Sequence, residues 1–191
     1  MNQTYTYKVI LVGDSKVGKT SFFIRIIKNV APRQPQPTIG VEFAQKQIIF
    51  KDSMINLKIW DTAGSEKYKS LTSNHFHQSQ GALLFYDLTD LYTYENLQYW
   101  LKDIYNNADD RIVIIIVGNK LDLIHEGQEV RCISQEKVQQ FCKAKNLFYC
   151  EISTKTGEGI NQLIDLLAIN LQARKIQQDV QQQRPRQNCC G

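Results

Sequence analysis

Residues 13–20 read GDSKVGKT, a segment whose residue types and spacing could hold a phosphate group. The two glycines, Gly13 and Gly18, allow the backbone to wrap closely around an anion with its N–H groups pointing inward. Lys19 can bring a positive charge to the outer phosphates of a nucleotide, and the Thr20 hydroxyl can ligate Mg²⁺. The alternative is a glycine-rich turn that binds no nucleotide. The residues of this segment that we expect at the nucleotide are Gly13, Asp14, Ser15, Lys16, Val17, Gly18, Lys19, Thr20 and Ser21.

Two polar segments farther along the chain could recognise a base, because each directly follows an apolar run. The first is NKLD at 119–122, and the second is STK at 153–155. The Asp122 carboxylate can accept from the N1–H and the exocyclic N2–H₂ of guanine, two donors that adenine does not present together. A polar turn after a strand would explain NKLD alone, but its combination with STK favours guanine. The predicted base-binding residues are Asn119, Lys120, Asp122, Ser153, Thr154 and Lys155.

A third segment, DTAG at 61–64, follows the apolar run INLKIW. Its carboxylate, Asp61, is predicted to hold the Mg²⁺ shell. Its glycine, Gly64, offers a backbone N–H that can meet a γ-phosphate and release it after hydrolysis. A phosphate loop by itself fits ATP as well as GTP, so an ATP-dependent kinase is a further alternative, which NKLD disfavours.

The elements that must position these segments follow from the pattern of apolar runs. Such runs, bounded by turn residues, alternate with segments of helical period, which is typical of βαβ units and of a parallel sheet covered on both faces. We predict strands near 7–13, 42–50, 54–60, 82–88, 112–118 and 147–152. We predict helices over about 19–28, 93–107, 135–145 and 160–178. Ligands of such a sheet bind beyond the carboxyl ends of the strands, where NKLD and STK stand.

The length of 191 residues suits one compact domain with an appendage. Hydrophobic residues make up 42% and charged residues 22%, values that exclude a disordered or collagen-like chain. The segment 29–40 contains three of the four prolines and is predicted to be a loop. We place the domain at 1–176 and a flexible, Gln-rich tail at 177–191.

The charge distribution bears on the partners. The formal net charge is +4, and the excess of basic residues lies in the tail, so the body is nearly neutral and a nucleic acid partner is not expected.

The longest aliphatic run, 112–117, is too short to span a membrane. The first residues, MNQTYTYK, contain no secretory signal, so we expect the chain in the reducing cytosol. The scattered cysteines of the domain are expected to be ordinary thiols.

These segments together resemble the Ras superfamily of small GTPases, and within it the Rab family, over about residues 7–175. The motifs GDSKVGKT, PTIG, WDTAG, NKLD and STK occur in the family's order, and IGVEF, LKIW, KYKSLT and LLFYDLTD resemble stretches that separate Rabs from their relatives. The resemblance implies an α/β P-loop NTPase fold with a six-stranded, mostly parallel sheet and five helices. It also implies a GTP/GDP cycle, Mg²⁺ as cofactor, and two switch loops at about 31–42 and 62–79. Thr38 would ligate Mg²⁺ and contact the γ-phosphate, and Lys120 and Lys155 would flank the guanine ring.

One departure from the family concerns hydrolysis. The family places Gln directly after DTAG to orient the attacking water, whereas this chain has Ser65. Serine is too short to reach an in-line water, so we expect slow intrinsic hydrolysis with intact nucleotide binding. The alternative is a GTP-binding scaffold that stays loaded with GTP. An aromatic residue usually packs on the guanine, and Ala31 in its place would weaken base affinity. The residues that we assign to catalysis are Lys19, Thr38, Gly64 and Ser65.

The resemblance also implies partners that read the nucleotide state. We expect an exchange factor, a GTPase-activating protein, a GDP-dissociation inhibitor or escort protein, and effectors, all acting on a monomer. The exposed aromatic positions that Rabs use for effectors correspond to Phe43, Trp60 and His75, and His75 alters this surface. The predicted effector-binding residues are Ile39, Val41, Phe43, Trp60, Tyr68 and His75.

The sequence closes Asn188-Cys189-Cys190-Gly191, where a C-a-a-X box would need Cys in place of Asn188. The adjacent cysteines resemble the Rab signal for double geranylgeranylation, the alternative being two unmodified thiols. Two lipid chains hold a domain on a membrane where one does not. We therefore expect a cytoplasmic protein that attaches reversibly to the cytosolic face of intracellular membranes through Cys189 and Cys190.

Overall fold

Six strands form one sheet in the computed structural model, which describes residues 4–30, 41–51, 53–62 and 76–183. The strands are β1 (Thr4–Gly13), β2 (Val41–Phe50), β3 (Ser53–Thr62), β4 (Gly81–Asp87), β5 (Val113–Asn119) and β6 (Phe148–Glu151). The helices of these ranges are α1 (Lys19–Lys28), α2 (Leu91–Glu95), α3 (Leu97–Asn107), α4 (Leu121–His125), α5 (Gln135–Ala144) and α6 (Ile160–Gln183).

The order of the strands across the sheet is β2-β3-β1-β4-β5-β6. All neighbours pair in parallel except β2 and β3, which form an antiparallel hairpin in which Phe50 pairs with Ser53. A two-residue connection can join only antiparallel strands, whereas the parallel neighbours need longer crossovers. The six-stranded, mostly parallel α/β sheet predicted from the sequence is confirmed.

Helices cover the sheet on both faces, because alternate residues of each strand point to opposite sides. In β1, Val9 and Leu11 pack toward α1 and α6, while Ile10 and Val12 pack toward α3 and α5. All seven residues of β4 and all seven of β5 are buried. The polar segments therefore begin at the ends of strands whose faces are covered by helices.

The helices differ from the prediction in three places. The helix predicted over 93–107 is two helices that meet at Asn96, whose backbone N–H bonds to Tyr92 and Tyr94 in a tightened turn. The short helix α4 was not predicted. The last helix continues to Gln183, past the predicted end at 178, because Gln is a good helix former and its polarity does not end a helix. Among the described helices, none is long and apolar enough to cross a bilayer.

Candidate functional site

The loop between β1 and α1 contains two glycines in conformations that other residues rarely adopt. Gly13 has φ 133° and Gly18 has φ 98°. A Cβ on Gly13 would overlap the Phe85 carbonyl oxygen, and a Cβ on Gly18 would overlap the Asn119 amide nitrogen. The loop therefore curves closely between β4 and β5, and only glycine permits both approaches.

Lys19 is the first residue of α1 and is buried beneath this loop, with 5% of its surface exposed. Its ammonium donates to the backbone oxygens of Gly13 at 2.8 Å and Asp14 at 2.7 Å. Burial lowers the pKa of Lys19 to about 8, and the nearby carboxylates of Asp61 and Asp14 oppose that shift. Burial removes most of the hydration of this cation, so the binding of an anion beside it is favourable.

Asp61 lies beside the phosphate loop because β3 pairs in parallel with β1, where Leu11 is its register partner. Its side chain is fully buried. Thr20, in the first turn of α1, is half-buried. A carboxylate and a hydroxyl are oxygen ligands of the kind that Mg²⁺ prefers, so this donor set fits that ion.

The remaining residues of the phosphate loop divide into two groups. Val17 and Ser21 are buried, whereas Ser15 and Lys16 are exposed, and Lys16 has a φ of 67°. The Asp14 carboxylate accepts hydrogen bonds from Asn96 and Trp100. These two partners of the loop were missed in the sequence, because nothing in the spacing relates residue 14 to residues 96 and 100.

Asn119 joins three segments of the site. Its amide nitrogen donates to the Val17 backbone oxygen at 2.8 Å, and its amide oxygen accepts from the Thr154 backbone N–H at 3.2 Å. The side chain is fully buried, so water does not compete for these bonds. The phosphate loop, the end of β5 and the segment 153–155 are thus held as one unit.

Asp122 is also buried, and its Oδ1 accepts from the Ser153 hydroxyl at 2.5 Å. The Lys155 ammonium lies 3.7 Å from its Oδ2 and bonds at 3.0 Å to Glu126. These ion pairs raise the pKa of Lys155, with the Glu126 hydrogen bond as the main cause. The geometry presents one carboxylate, fixed by a serine, at the place where a base would be read.

Lys120 directly follows β5 and adopts a left-handed conformation with φ 72°. Its ammonium lies 2.5 Å from a carboxylate oxygen of Asp87, which ends β4. Asp87 and Glu126, which pair with Lys120 and Lys155, were not predicted from the sequence. Asp87 could have been predicted, because it directly follows a buried apolar run, just as Asp61 follows INLKIW.

Two of the predicted effector-binding residues lie together on the hairpin. Phe43 and Trp60 are register partners on β2 and β3, with ring centroids 4.9 Å apart. The Lys8 ammonium lies 5.2 Å from the centroid of the Trp60 ring, and Phe43 is 46% exposed. Val41 begins β2, and its backbone pairs with Thr62. The predicted residues outside the described ranges are Thr38, Ile39, Gly64, Ser65, Tyr68, His75, Cys189 and Cys190.

The chain is similar to known proteins over most of its length. The family model described as Ras family matches residues 8–173. GTP-binding protein ypt3 of Schizosaccharomyces pombe is 39% identical over 158 residues, which cover 83% of this chain and 72% of that protein. Ras-related protein RABA1h of Arabidopsis thaliana is 43% identical over 157 residues, 82% of this chain and 69% of that protein. The chain is a Rab GTPase of the Ras family.

Membership in this family fits the geometry at both ends of the site. A third relative, Ras-related protein YPTC6 of Chlamydomonas reinhardtii, is 40% identical over 158 residues, which cover 83% of this chain and 71% of that protein. As a Rab GTPase, the chain binds guanine nucleotide and hydrolyses GTP, and the kinase alternative is wrong. The buried Lys19 and the fixed Asp122 are the groups of this Rab GTPase that suit the phosphates and the base.

Proposed function

We propose that this Rab GTPase is a switch in vesicle traffic, which recruits effectors while GTP is bound and releases them after slow hydrolysis. The observation that carries the proposal is the buried Lys19, held by two carbonyls of the phosphate loop beside the buried Asp61. A buried cation and a buried carboxylate in the same place support the binding of a nucleotide together with Mg²⁺.

At the phosphate end, an ammonium has three N–H donors, and Lys19 donates to the Gly13 and Asp14 oxygens. The curved loop would direct its backbone N–H groups to the β-phosphate, as the start of a helix does for anions. Thr20 and Asp61 would hold Mg²⁺, together with Thr38 when GTP is bound. The bound ion would neutralise the charge that develops on the phosphates during hydrolysis.

At the base end, Asp122 would accept from both edge donors of guanine. The Ser153 hydroxyl supports this role, since it occupies one lone pair of Oδ1 and so limits rotation of the carboxylate. Lys120 and Lys155 would flank the ring with their aliphatic stems, because their charged ends are engaged with Asp87 and Glu126. Asn119 would contribute indirectly, by keeping the three segments together.

Hydrolysis is proposed to be slow because Ser65 replaces the residue that orients the attacking water. Positioning of the water stabilises the transition state and contributes little to nucleotide affinity. A GTPase-activating protein that supplies the missing group would restore turnover. The competing proposal is a scaffold that stays loaded with GTP. Ser65 favours this alternative if no activating protein acts on the chain.

Membrane attachment is proposed through lipids on Cys189 and Cys190. Two geranylgeranyl chains give stable anchoring, and Arg184 and Arg186 would each add attraction of about 1 kcal/mol to an anionic surface. The exchange factor, the GDP-dissociation inhibitor or escort protein and the effectors are the proposed partners. The Phe43 and Trp60 pair supports an effector surface on the hairpin, because it exposes an aromatic side chain close in sequence to the predicted switch segments.

The experiment that tests the proposal is identification of the nucleotide carried by the purified protein. We expect denaturation of the parent to release GDP or GTP in equimolar amount, and chelation of Mg²⁺ to accelerate nucleotide release. The Lys19→Ala variant should be purified without nucleotide. Lys28→Ala, at the exposed end of the same helix, is the matched control and should retain it. Equal nucleotide content in parent and Lys19→Ala would overturn the proposed site.

A further inference from the structure

The side chain of Asp14 bonds to a helix on the other side of the phosphate loop. Its Oδ2 accepts from the Asn96 amide at 2.7 Å, and its Oδ1 accepts from the Trp100 indole N–H at 2.8 Å. The two donors stand four residues apart at the start of α3 and therefore lie on the same side of that helix. Both carboxylate oxygens are thus engaged by one helical turn.

The backbone of Asp14 is hydrogen-bonded to the ammonium of Lys19. The Asp14 carbonyl oxygen accepts from Lys19 at 2.7 Å, so one residue connects α3 to the cation of the phosphate site. Hydrogen bonds to a carboxylate are about twice as strong as those between neutral groups. Trp100 is 7% exposed, and the indole cannot exchange this bond for one to water without unpacking the helix.

We propose that Asp14 is a positioning residue, whose carboxylate, held by Trp100 and Asn96, fixes the carbonyl that orients Lys19. Helix α3 thereby sets the rate at which nucleotide leaves the site. This inference rests on the proposed binding of nucleotide at the phosphate loop, and it assigns a role to α3 that the binding motifs do not contain. If the linkage is broken, the loop retains its glycines and its lysine but loses one of its supports.

The first test measures release of fluorescently labelled GDP. Asp14→Asn replaces one acceptor by an N–H₂ group that faces a donor, and we expect release about tenfold faster than in the parent. Trp100→Phe keeps an aromatic ring and removes the donor, so release should also accelerate. Because the two changes act on one bond, the double variant should release GDP no more than about twofold faster than the faster single variant.

Asp103→Asn is the matched control, since it makes the same substitution on α3 at a carboxylate that accepts from Asn107 near the other end of the helix. Release from this variant should stay within about twofold of the parent. Asn96→Ala is a milder second variant, because the side chain makes no capping bond to α3. Parent-like release from both Asp14→Asn and Asn96→Ala would overturn the proposal.

The second test measures how tryptophan emission shifts when GDP is removed. If Asp14 only supported the fold, this shift would not depend on Asp14. The chain has two tryptophans, so Trp100 is the single emitter in a Trp60→Phe background. Removal of GDP should shift the Trp100 emission if the loop and the indole are linked, and Asp14→Asn should abolish at least half of that shift. An equal shift with and without Asp14 would overturn the linkage. The proposed function is tested by a different measurement, the nucleotide content of Lys19→Ala, so failure of the linkage and failure of the proposed function can be distinguished.

Discussion

The Asn119 amide nitrogen donates to the Val17 backbone oxygen at 2.8 Å, across a separation of 102 residues in sequence. The bond lies in the interior, and the other end of the same amide accepts from Thr154. Separation of the phosphate loop from the base segment would leave buried donors and acceptors unpaired. Each such group costs about 1–3 kcal/mol, so these bonds hold the two halves of the site together.

Replacement of Asn119 by alanine should weaken both the fold and nucleotide retention. The Val17 carbonyl and the Thr154 N–H would lose their partner, and we expect the free energy of unfolding to fall by on the order of 3 kcal/mol. Urea unfolding and GDP release measure the two effects. Asn107→Ala, which removes a half-buried amide at the end of α3, is the control and should change stability by less than about 1 kcal/mol. Similar losses in the two variants would contradict this prediction.

Asp122→Asn should shift the preference of the site from guanine toward xanthine nucleotides. The amide replaces an acceptor for N2–H₂ by a group that can donate, while the Ser153 hydroxyl can still bond to it. Competition between GDP and XDP measures the change. Asp165→Asn, on the exposed face of α6, is the control and should leave the preference unaltered. GDP binding to Asp122→Asn as tight as in the parent would show that another group reads the base.

Ser65→Gln should accelerate intrinsic hydrolysis of GTP at least tenfold, if the longer side chain contributes about 1.4 kcal/mol to the transition state. The affinity for GTP should change little, because the water is oriented only in the reaction. Single-turnover hydrolysis with and without a Rab-directed activating protein measures both rates. Equal intrinsic rates in the two proteins would mean that another group positions the water, and the activator-dependent switch would have to be abandoned.

Membrane attachment should require Cys189 and Cys190 together. A variant with serine at both positions is expected to be wholly cytosolic in fractionated cells, and each single variant should be partly so, because one lipid chain gives marginal binding. Cys132→Ser, within the domain, is the control and should fractionate as the parent does. Recovery of the double variant on membranes would place the anchor elsewhere.

The stability of the protein should fall in alkaline solution, in part through Cys142. This thiol is 3% exposed, and burial raises its pKa to about 11 from 9.0. Above pH 9 the unfolded chain loses a proton that the folded chain keeps, so the free energy of unfolding decreases as the pH rises toward 11. The share of Cys142 is about 2 kcal/mol at pH 11.

Urea unfolding of the parent and of Cys142→Ala at pH 7 and pH 11 measures this share. The packing cost of the variant is the same at both values, so only titration changes the difference between the two proteins. We expect the variant to lose less stability than the parent on going to pH 11. Equal losses would assign the alkaline destabilisation to other groups.

The strands were predictable because burial determines their composition. Strands β4 and β5 are buried along their whole length, and their apolar runs mark them without reference to any partner. The break at Asn96 was not predictable, since the periodicity of α2 and α3 continues across it while the Asn96 side chain bonds to Asp14. The extent of α6 was underestimated, because a Gln-rich composition suits an exposed helix as well as a tail.

The sequence by itself determined where the phosphate loop and the base-reading segments lie, because glycine, lysine and aspartate at fixed short spacing are needed for that chemistry. It determined equally that these segments follow buried strands. Only the tertiary structure decided the partners that hold them: Asp14 with Trp100, 86 residues away, Lys120 with Asp87, and Asn119 with Val17. Such pairs arise where a helix packs on a sheet and where parallel strands end side by side. Local spacing does not encode these long-range contacts, which form only when the whole chain is folded.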